Sequence, residues 1–226
     1  MGPVGASSAH EHERGGEALA ETELQTLNSE GLLIPEDTCL TAGVQIGTQQ
    51  KSKDMLPFIF KVRSDGLYIL NVKKTDERIR GAAKFIARFD PQQVLTTSAR
   101  QYGQKPTRLF AKYTGTRSVA GRFVPGMLTN PQLNHFTEPD VLLVTDPTAD
   151  LQALREAVNI GIPVIGLCDA NNEHKYVDYV IPCNNKGRRA LAVVYWLLAR
   201  EVMKARGAVK EDSEWTATVD EFEATL

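Results

Sequence analysis

The stretch VLLVTDPTADLQALREAVNIGIPVIGLCDAN, residues 141–171, runs from an apolar segment through an acidic turn and a periodic segment to a second apolar run. Residues 141–144 are continuously apolar, as a strand buried on both faces of a parallel sheet must be. Leu151, Leu154, Ala157 and Val158 then recur at helical spacing, Gly161 supplies a stop, and residues 163–167 form the next run. A strand that returns through a helix to another strand is a parallel crossover. The sequence therefore predicts an α/β fold with a doubly wound, mainly parallel sheet and helices on both faces.

Ligands of such sheets gather beyond the carboxyl ends of the strands, so DPTAD (146–150) and DANN (169–172) occupy the position of a cofactor site. Holding a phosphate there requires glycines that let backbone amides approach, or a Gly-rich turn followed by Lys and Ser or Thr. Residues 145–150 instead read Thr, Asp, Pro, Thr, Ala, Asp: no glycine, two carboxylates, and a proline with no amide hydrogen. This turn repels phosphate. Asp146, Thr148 and Asp150 suit turn and capping roles at the start of the helix, and Asp169, Asn171 and Asn172 suit the same roles after the next strand. The alternative is an enzyme or regulator that binds a nucleotide or metal through Asp146 and Asp169. It lacks a nearby nucleophile, and His135 and His174 are isolated. Cys168, His174 and Cys183 fit no zinc module and lack a fourth ligand. No cofactor, no metal and no catalysis are expected.

Outward from this unit, FIFKVR (58–63) and GLYILNV (66–72) predict two strands joined at Ser64, Asp65 and Gly66. A helix over 76–89 turns Ile79, Ala82, Ala83, Ile86 and Phe89 inward, and QQVLTTSA (92–99) is a strand. A helix over 99–115 is expected to be disturbed around Gly103 and Pro106, and residues 114–139 to form one long loop. YVDYVIP (176–182) is a further strand, and 184–207 a long helix with Leu191, Val194, Tyr195, Leu198 and Val202 inward. Residues 1–20 are expected to be a disordered arm, 21–207 a single RNA-binding domain with folding proper beginning near Cys39, and 208–226 an acidic tail that hangs free or rests on a neighbour.

The formal net charge of −2 hides a strong asymmetry. Residues 1–38 hold eight acids and one base, and 208–226 six acids and one base, whereas 51–122 hold sixteen bases and five acids, a net +11. A basic body between acidic ends points to a polyanionic partner, above all a nucleic acid. Its bases are interleaved with flat and hydrogen-bonding groups: Lys51, Lys53, Lys73, Lys74, Arg78, Arg100, Gln101, Tyr102, Lys105, Arg108, Lys112, Tyr113, Arg117, Arg122 and Phe123. Lysines and arginines neutralise phosphates, aromatic and guanidinium planes stack on unpaired bases, and Gly115, Gly121 and Gly126 let backbone approach a sugar-phosphate chain. Three scattered cysteines imply reduced thiols, and no run nears the roughly 20 apolar residues of a membrane span. A cytoplasmic protein with no membrane partner is expected. A protein-docking module using the acidic ends and the YVDYVIP edge is a third reading.

Five blocks then spell a family: AGVQIGTQQKSKDM (42–55), LTTSARQYGQKP (95–106), AGRFVPGMLTNP (120–131), PDVLLVTDPTADLQALREAVNIGIPVIGLCDAN (139–171) and CNNKGRRALAVVYWLLARE (183–201). In this order they resemble the small-subunit ribosomal protein S-two family, which includes the laminin-receptor-like proteins of eukaryotes. The resemblance covers about residues 24–206. The spacing leaves no room for the inserted helical hairpin of bacterial members, and the tail stops soon after SEW where eukaryotic members continue, so the pattern is archaeal. Gln45 stands where many relatives carry His, which removes a titratable ring.

The resemblance implies a flavodoxin-like, Rossmann-like sheet and a structural place in the small (30S) subunit between head and body. The implied partners are small-subunit (16S) ribosomal RNA and neighbouring ribosomal proteins, with messenger RNA nearby. The RNA-facing positions it adds are Gln45, Gly47, Thr48, Asn130 in the 115–131 loop, and Asn184, Asn185, Lys186 and Arg188 at the start of the last helix, where open amides and bases attract phosphate.

Overall fold

At the centre of the molecule the run VLLV is β5 (Val141–Val144), with all four side chains fully buried. The computed structural model describes residues 32–210 and 214–225, so the expected arm at 1–20 lies outside the described residues. From Asp37 onward the chain forms one unit. It begins with α1 (Glu36–Ala42) and the antiparallel hairpin β1 (Ile59–Val62) and β2 (Tyr68–Leu70), followed by α2 (Val72–Ile86) and β3 (Val94–Ser98). Next come α3 (Gln101–Thr114), β4 (Arg117–Ala120), β5, α4 (Leu151–Ile160), β6 (Val164–Cys168), β7 (Tyr179–Pro182), α5 (Arg188–Ala205) and a short α6 (Val219–Phe222).

Five strands form one parallel sheet in the order β4-β3-β5-β6-β7. Numbered within the sheet this is 2-1-3-4-5, the flavodoxin-like order, whose reversal point falls between β3 and β5. On one face Leu95, Leu142, Val144 and Val164 pack with Ala153, Leu154 and Ala157 of α4 and with Phe123 and Leu128 of the β4–β5 connection. Towards β7 the same face is closed by Met55, Phe58 and Leu70 against Cys168, Ala170 and Val180. On the other face α5 packs between α2 and α3. Tyr195 of α5 is completely buried, edge-on to Phe110 at 5.9 Å, and its hydroxyl lies 2.7 Å from Thr145 Oγ1. Leu191, Val194, Tyr195, Leu198 and Val202 all point inward, but so do their neighbours. A helix enclosed by sheet and helices is apolar on nearly every side.

Several boundaries differ from the sequence reading, each for a local reason. Helix α2 starts four residues early because Asn71 Oδ1 accepts from the amides of Lys73 (3.0 Å) and Lys74 (3.3 Å). Helix α3 is continuous through Gly103 and Pro106. Gly103 marks a contact rather than a break: a Cβ there would lie 2.2 Å from Ser98 Oγ and 2.9 Å from Thr145 Cγ2, so its absence lets α3 start against the sheet. Residues 114–139 are not all loop, since Arg117–Ala120 pairs in parallel with β3 as an edge strand. Four partly exposed residues carry too little apolar pattern to announce it. Strand β7 starts only at Tyr179, after Asp178 has tied back to Val164 N at 2.8 Å. In α4 the buried side chains are Ala153, Leu154, Glu156 and Ala157, while Leu151 and Val158 are exposed. Residues 214–225 neither hang free nor await a neighbour but pack on α3 and α5 of their own chain.

Candidate nucleic-acid interface

The place where this sheet order accepts a ligand is the cleft beyond β3 and β5, and here the chain's own side chains occupy it. Asp146, fully buried, pairs with the Arg100 guanidinium; its Oδ1 accepts from Thr148 N and Asn172 Nδ2, both at 3.0 Å. Asn172 also donates to Thr148 Oγ1 (3.0 Å) and accepts from Asp169 N (2.7 Å) and Asn185 Nδ2 (3.0 Å). Asn185 Nδ2 reaches the Leu167 carbonyl at 2.9 Å. Asp169 receives Lys186 Nζ at 2.8 Å and Ala170 N at 2.6 Å, and Lys186 also reaches Asn171 Oδ1 at 2.7 Å. Every carboxylate that a nucleotide or metal reading would use is thus engaged by a donor within the chain. Removing Arg100 leaves the buried Asp146 carboxylate without its cation; because the Arg100 side chain is 34% exposed, the cost falls below the about 3–5 kcal/mol of a fully buried pair. Among the described residues no group of three His, Cys, Asp or Glu converges on a point.

Asp150 does not cap α4, contrary to expectation. Its Oδ1 accepts from Ala99 N at 2.8 Å and its Oδ2 from Asp146 N at 3.2 Å, so it ties the carboxyl ends of β3 and β5 together. Burial pushes its carboxyl up to about 6; the amides it accepts from act in the opposite direction. Sequence reasoning passed over Glu156. It is buried on α4 and holds the β4–β5 connection through Gly126 N (2.6 Å) and Leu128 N (3.0 Å), while Gln152 Nε2 braces it at 2.8 Å. The signal was there: an acid between Ala153 and Ala157, on the buried side of the helix.

The residues assigned to RNA divide into two groups. One group works inside the protein. Arg100, Asn185 and Lys186 belong to the cleft network, and Asn184 Oδ1 accepts from Lys186 N and Gly187 N while its Nδ2 reaches Gly43 O. Phe123 is buried in the core beside Leu128 and Leu142, and Asn185 is fully buried. Gly47 is required because a Cβ would lie 2.8 Å from Tyr68 O, and Thr48 Oγ1 donates to Gln50 O. Gln45 is half-buried. Lys74 donates to Pro57 O, and Arg78 lies over Phe58 and Tyr179 at 5.4 and 5.0 Å. Lys105, Tyr113 and Arg188 are held by residues 221–223.

The other group faces outward: Lys51, Lys53, Lys73, Gln101, Tyr102, Arg108, Lys112, Arg117, Arg122 and Asn130 are all exposed. Gln101, Tyr102, Arg108 and Lys112 project from α3, and Arg117 and Arg122 flank β4 beside it. Arg117 also donates to Thr137 Oγ1 at 3.1 Å, and the αL conformation of Gly115 (φ 71°) ends α3 and turns the chain towards it. Lys51 and Lys53 lie apart from these, before the hairpin, and Lys73 opens α2. Exposed cations on α3, at β4 and before the hairpin suit a backbone polyanion, which is bound by many separate contacts.

Strand order and a self-filled cleft define the class: a flavodoxin-like α/β protein whose rim is closed. Residues 39–136 and 131–205 match the family described as Ribosomal protein S2. The chain is 56% identical over 197 residues to the small ribosomal subunit protein uS2 of Thermoplasma volcanium, covering 87% of this chain and 99% of that one. The proteins of the same name from Thermoplasma acidophilum and Picrophilus torridus are 55% and 53% identical over 197 residues, again 87% of this chain, covering 99% and 98% of theirs. This chain belongs to the ribosomal protein S2 family, in its archaeal form.

Proposed function

We propose that this chain is a structural constituent of the archaeal small (30S) ribosomal subunit, holding 16S ribosomal RNA and neighbouring ribosomal proteins at the junction of head and body. It performs no catalysis, works in the cytoplasm, and lies close to the path of messenger RNA. Residues 21–207 are the RNA-binding domain, and Lys51, Lys53, Lys73, Gln101, Tyr102, Arg108, Lys112, Arg117, Arg122 and Asn130 are its RNA-facing side chains.

The observation that carries this reading is the separation of charges: the acids near the cleft are consumed internally, while the bases on α3, around β4 and before the hairpin reach solvent. Membership of the family and three relatives named as small-subunit proteins support it. Among the described residues no helix is long and apolar enough to cross a membrane. The test is binding of transcribed small-subunit RNA across a salt series, together with sedimentation of cell extract. Affinity should fall linearly on a log–log plot by about 0.7–0.9 per phosphate contact, and the chain should travel with the small subunit. Affinity independent of salt, or a chain confined to the free-protein fractions, would overturn the reading.

A further inference from the structure

The C-terminal segment carries anions onto the very groups that the sequence assigns to phosphate. Residues 214–225 return along α3 and α5 and are fastened by aromatic packing. Phe222 is fully buried with its ring stacked on Tyr113, centroids 5.7 Å and planes 16° apart, and Trp215 meets Tyr113 at 5.3 Å. Trp196 Nε1 on α5 donates to Ala217 O at 2.7 Å. With the segment so fixed, Glu221 Oε2 accepts from the Tyr113 hydroxyl at 2.7 Å. Glu223 Oε1 meets Arg188 Nη2 at 2.6 Å, and the carbonyl of Glu223 accepts from Lys105 Nζ at 2.7 Å. Residues two apart in one short turn thus engage an ammonium, a phenol and a guanidinium together.

These three donors, two from successive turns of α3 and one from the start of α5, are of the kinds that the phosphates of one RNA strand would use. Tyr113 is held in its donating form, its hydroxyl pushed upward first by the hydrogen bond to Glu221 and then by burial. The segment also belongs to an acidic stretch, with six acids against one base over 208–226. A neutral or basic segment could have fastened through the same aromatic residues, so the carboxylates are not needed for docking.

We propose that residues 214–225 are an internal strap over a phosphate-binding site formed by Lys105, Tyr113 and Arg188, and that RNA lifts the segment, Glu221 and Glu223 with it, when it binds. The proposal rests on the RNA-binding reading and adds its regulation. In the free protein the strap removes cations from the surface and weakens binding to indiscriminate polyanions. On RNA, phosphate oxygens replace Glu221 Oε2 at Tyr113, Glu223 Oε1 at Arg188 and the Glu223 carbonyl at Lys105.

The experiment compares the full chain with the double variant Glu221→Gln/Glu223→Gln, which keeps Phe222 and Trp215, by anisotropy of labelled small-subunit RNA transcript across a salt series. The variant should bind about tenfold tighter at low salt, with a log–log slope steeper by about 1–2 because more cations are open to phosphate. A second readout needs no variant. Both tryptophans of the chain touch the strap, so adding RNA to the wild type should shift their emission to longer wavelength as they become solvated. Equal affinity and slope for both proteins, or RNA binding without an emission shift, overturns the strap alone. Failure of both proteins to bind RNA removes the RNA-binding reading and the strap with it.

Discussion

Replacing Asn172 with Ala tests whether the closed cleft is a working part of the fold. Four hydrogen bonds vanish, but the groups left behind are not equally stranded. Asp146 Oδ1 keeps Thr148 N, Asn185 Nδ2 keeps the Leu167 carbonyl, and Thr148 is exposed enough for its hydroxyl to find water. The buried amide of Asp169 loses its only side-chain acceptor. One orphaned buried donor costs about 1–3 kcal/mol, and weakening the other three adds about 1, so a loss of about 2–4 kcal/mol is expected. For a chain of this size that corresponds to a fall of about 4–16 °C in Tm. Urea unfolding followed by far-UV circular dichroism should show a lower midpoint with an unchanged slope, which separates a stability change from a change in the unfolded state. Asn171→Ala is the control: its exposed side chain accepts one bond from Lys186, and its removal should cost less than about 1 kcal/mol. The vacated space approaches the volume of one water, about 30 Å³. A loss below about 1 kcal/mol for Asn172→Ala would mean that solvent serves the network as well as the amide does, and that the cleft is open to water.

Asp150 gives a pH signature. Its folded carboxyl keeps a proton up to about pH 6 whereas the unfolded one releases it near 4, so the folded state binds more protons between these values and stability falls as pH rises through them. Relative to Asp150→Asn, the wild type should lose about 3 kcal/mol between pH 4 and pH 6 and then level off, as measured by denaturant titrations at successive pH values. Gly103→Ala should destabilise by about 1–2 kcal/mol in spite of its better helix propensity, because a Cβ meets Ser98 and the buried Thr145; thermal unfolding checks it. Reversing Lys53, Arg108 and Arg122 to Glu should leave Tm within about 2 °C of wild type while lowering RNA affinity and flattening the salt slope by about 2–3. Reversal of Arg100 should instead lower Tm sharply, since it strands Asp146.

How far the residues alone led depended on the range of the interaction. The crossover unit was readable because burial on both faces leaves an unbroken apolar run, and VLLV shows one. The edge strand Arg117–Ala120 was not, because half of its surface meets solvent and its sheet partner lies some 20 residues away in β3. The refusal of phosphate at 145–150 followed from missing glycines, but the filling of the cleft did not. It depends on Arg100, Asn172 and Lys186 arriving from three separate connections, and no local pattern records such a meeting. The basic character of 51–122 was likewise evident, whereas the distinction between bases facing inward and outward required the carboxylates that face them. The partners of Lys105, Tyr113 and Arg188 in residues 221–223 lie far along the chain, so no local pattern shows that these donors are already engaged.

Residues 214–225 follow α3 and α5 in the chain, and this bears on the order of synthesis. Both helices emerge from the translating machinery before these residues, so until codons 215–223 are read Tyr113 lacks Phe222 above it and Lys105 and Arg188 lack Glu223. A nascent polypeptide cut short there would expose an uncovered aromatic ring beside unneutralised charge, a combination that invites clumping and degradation.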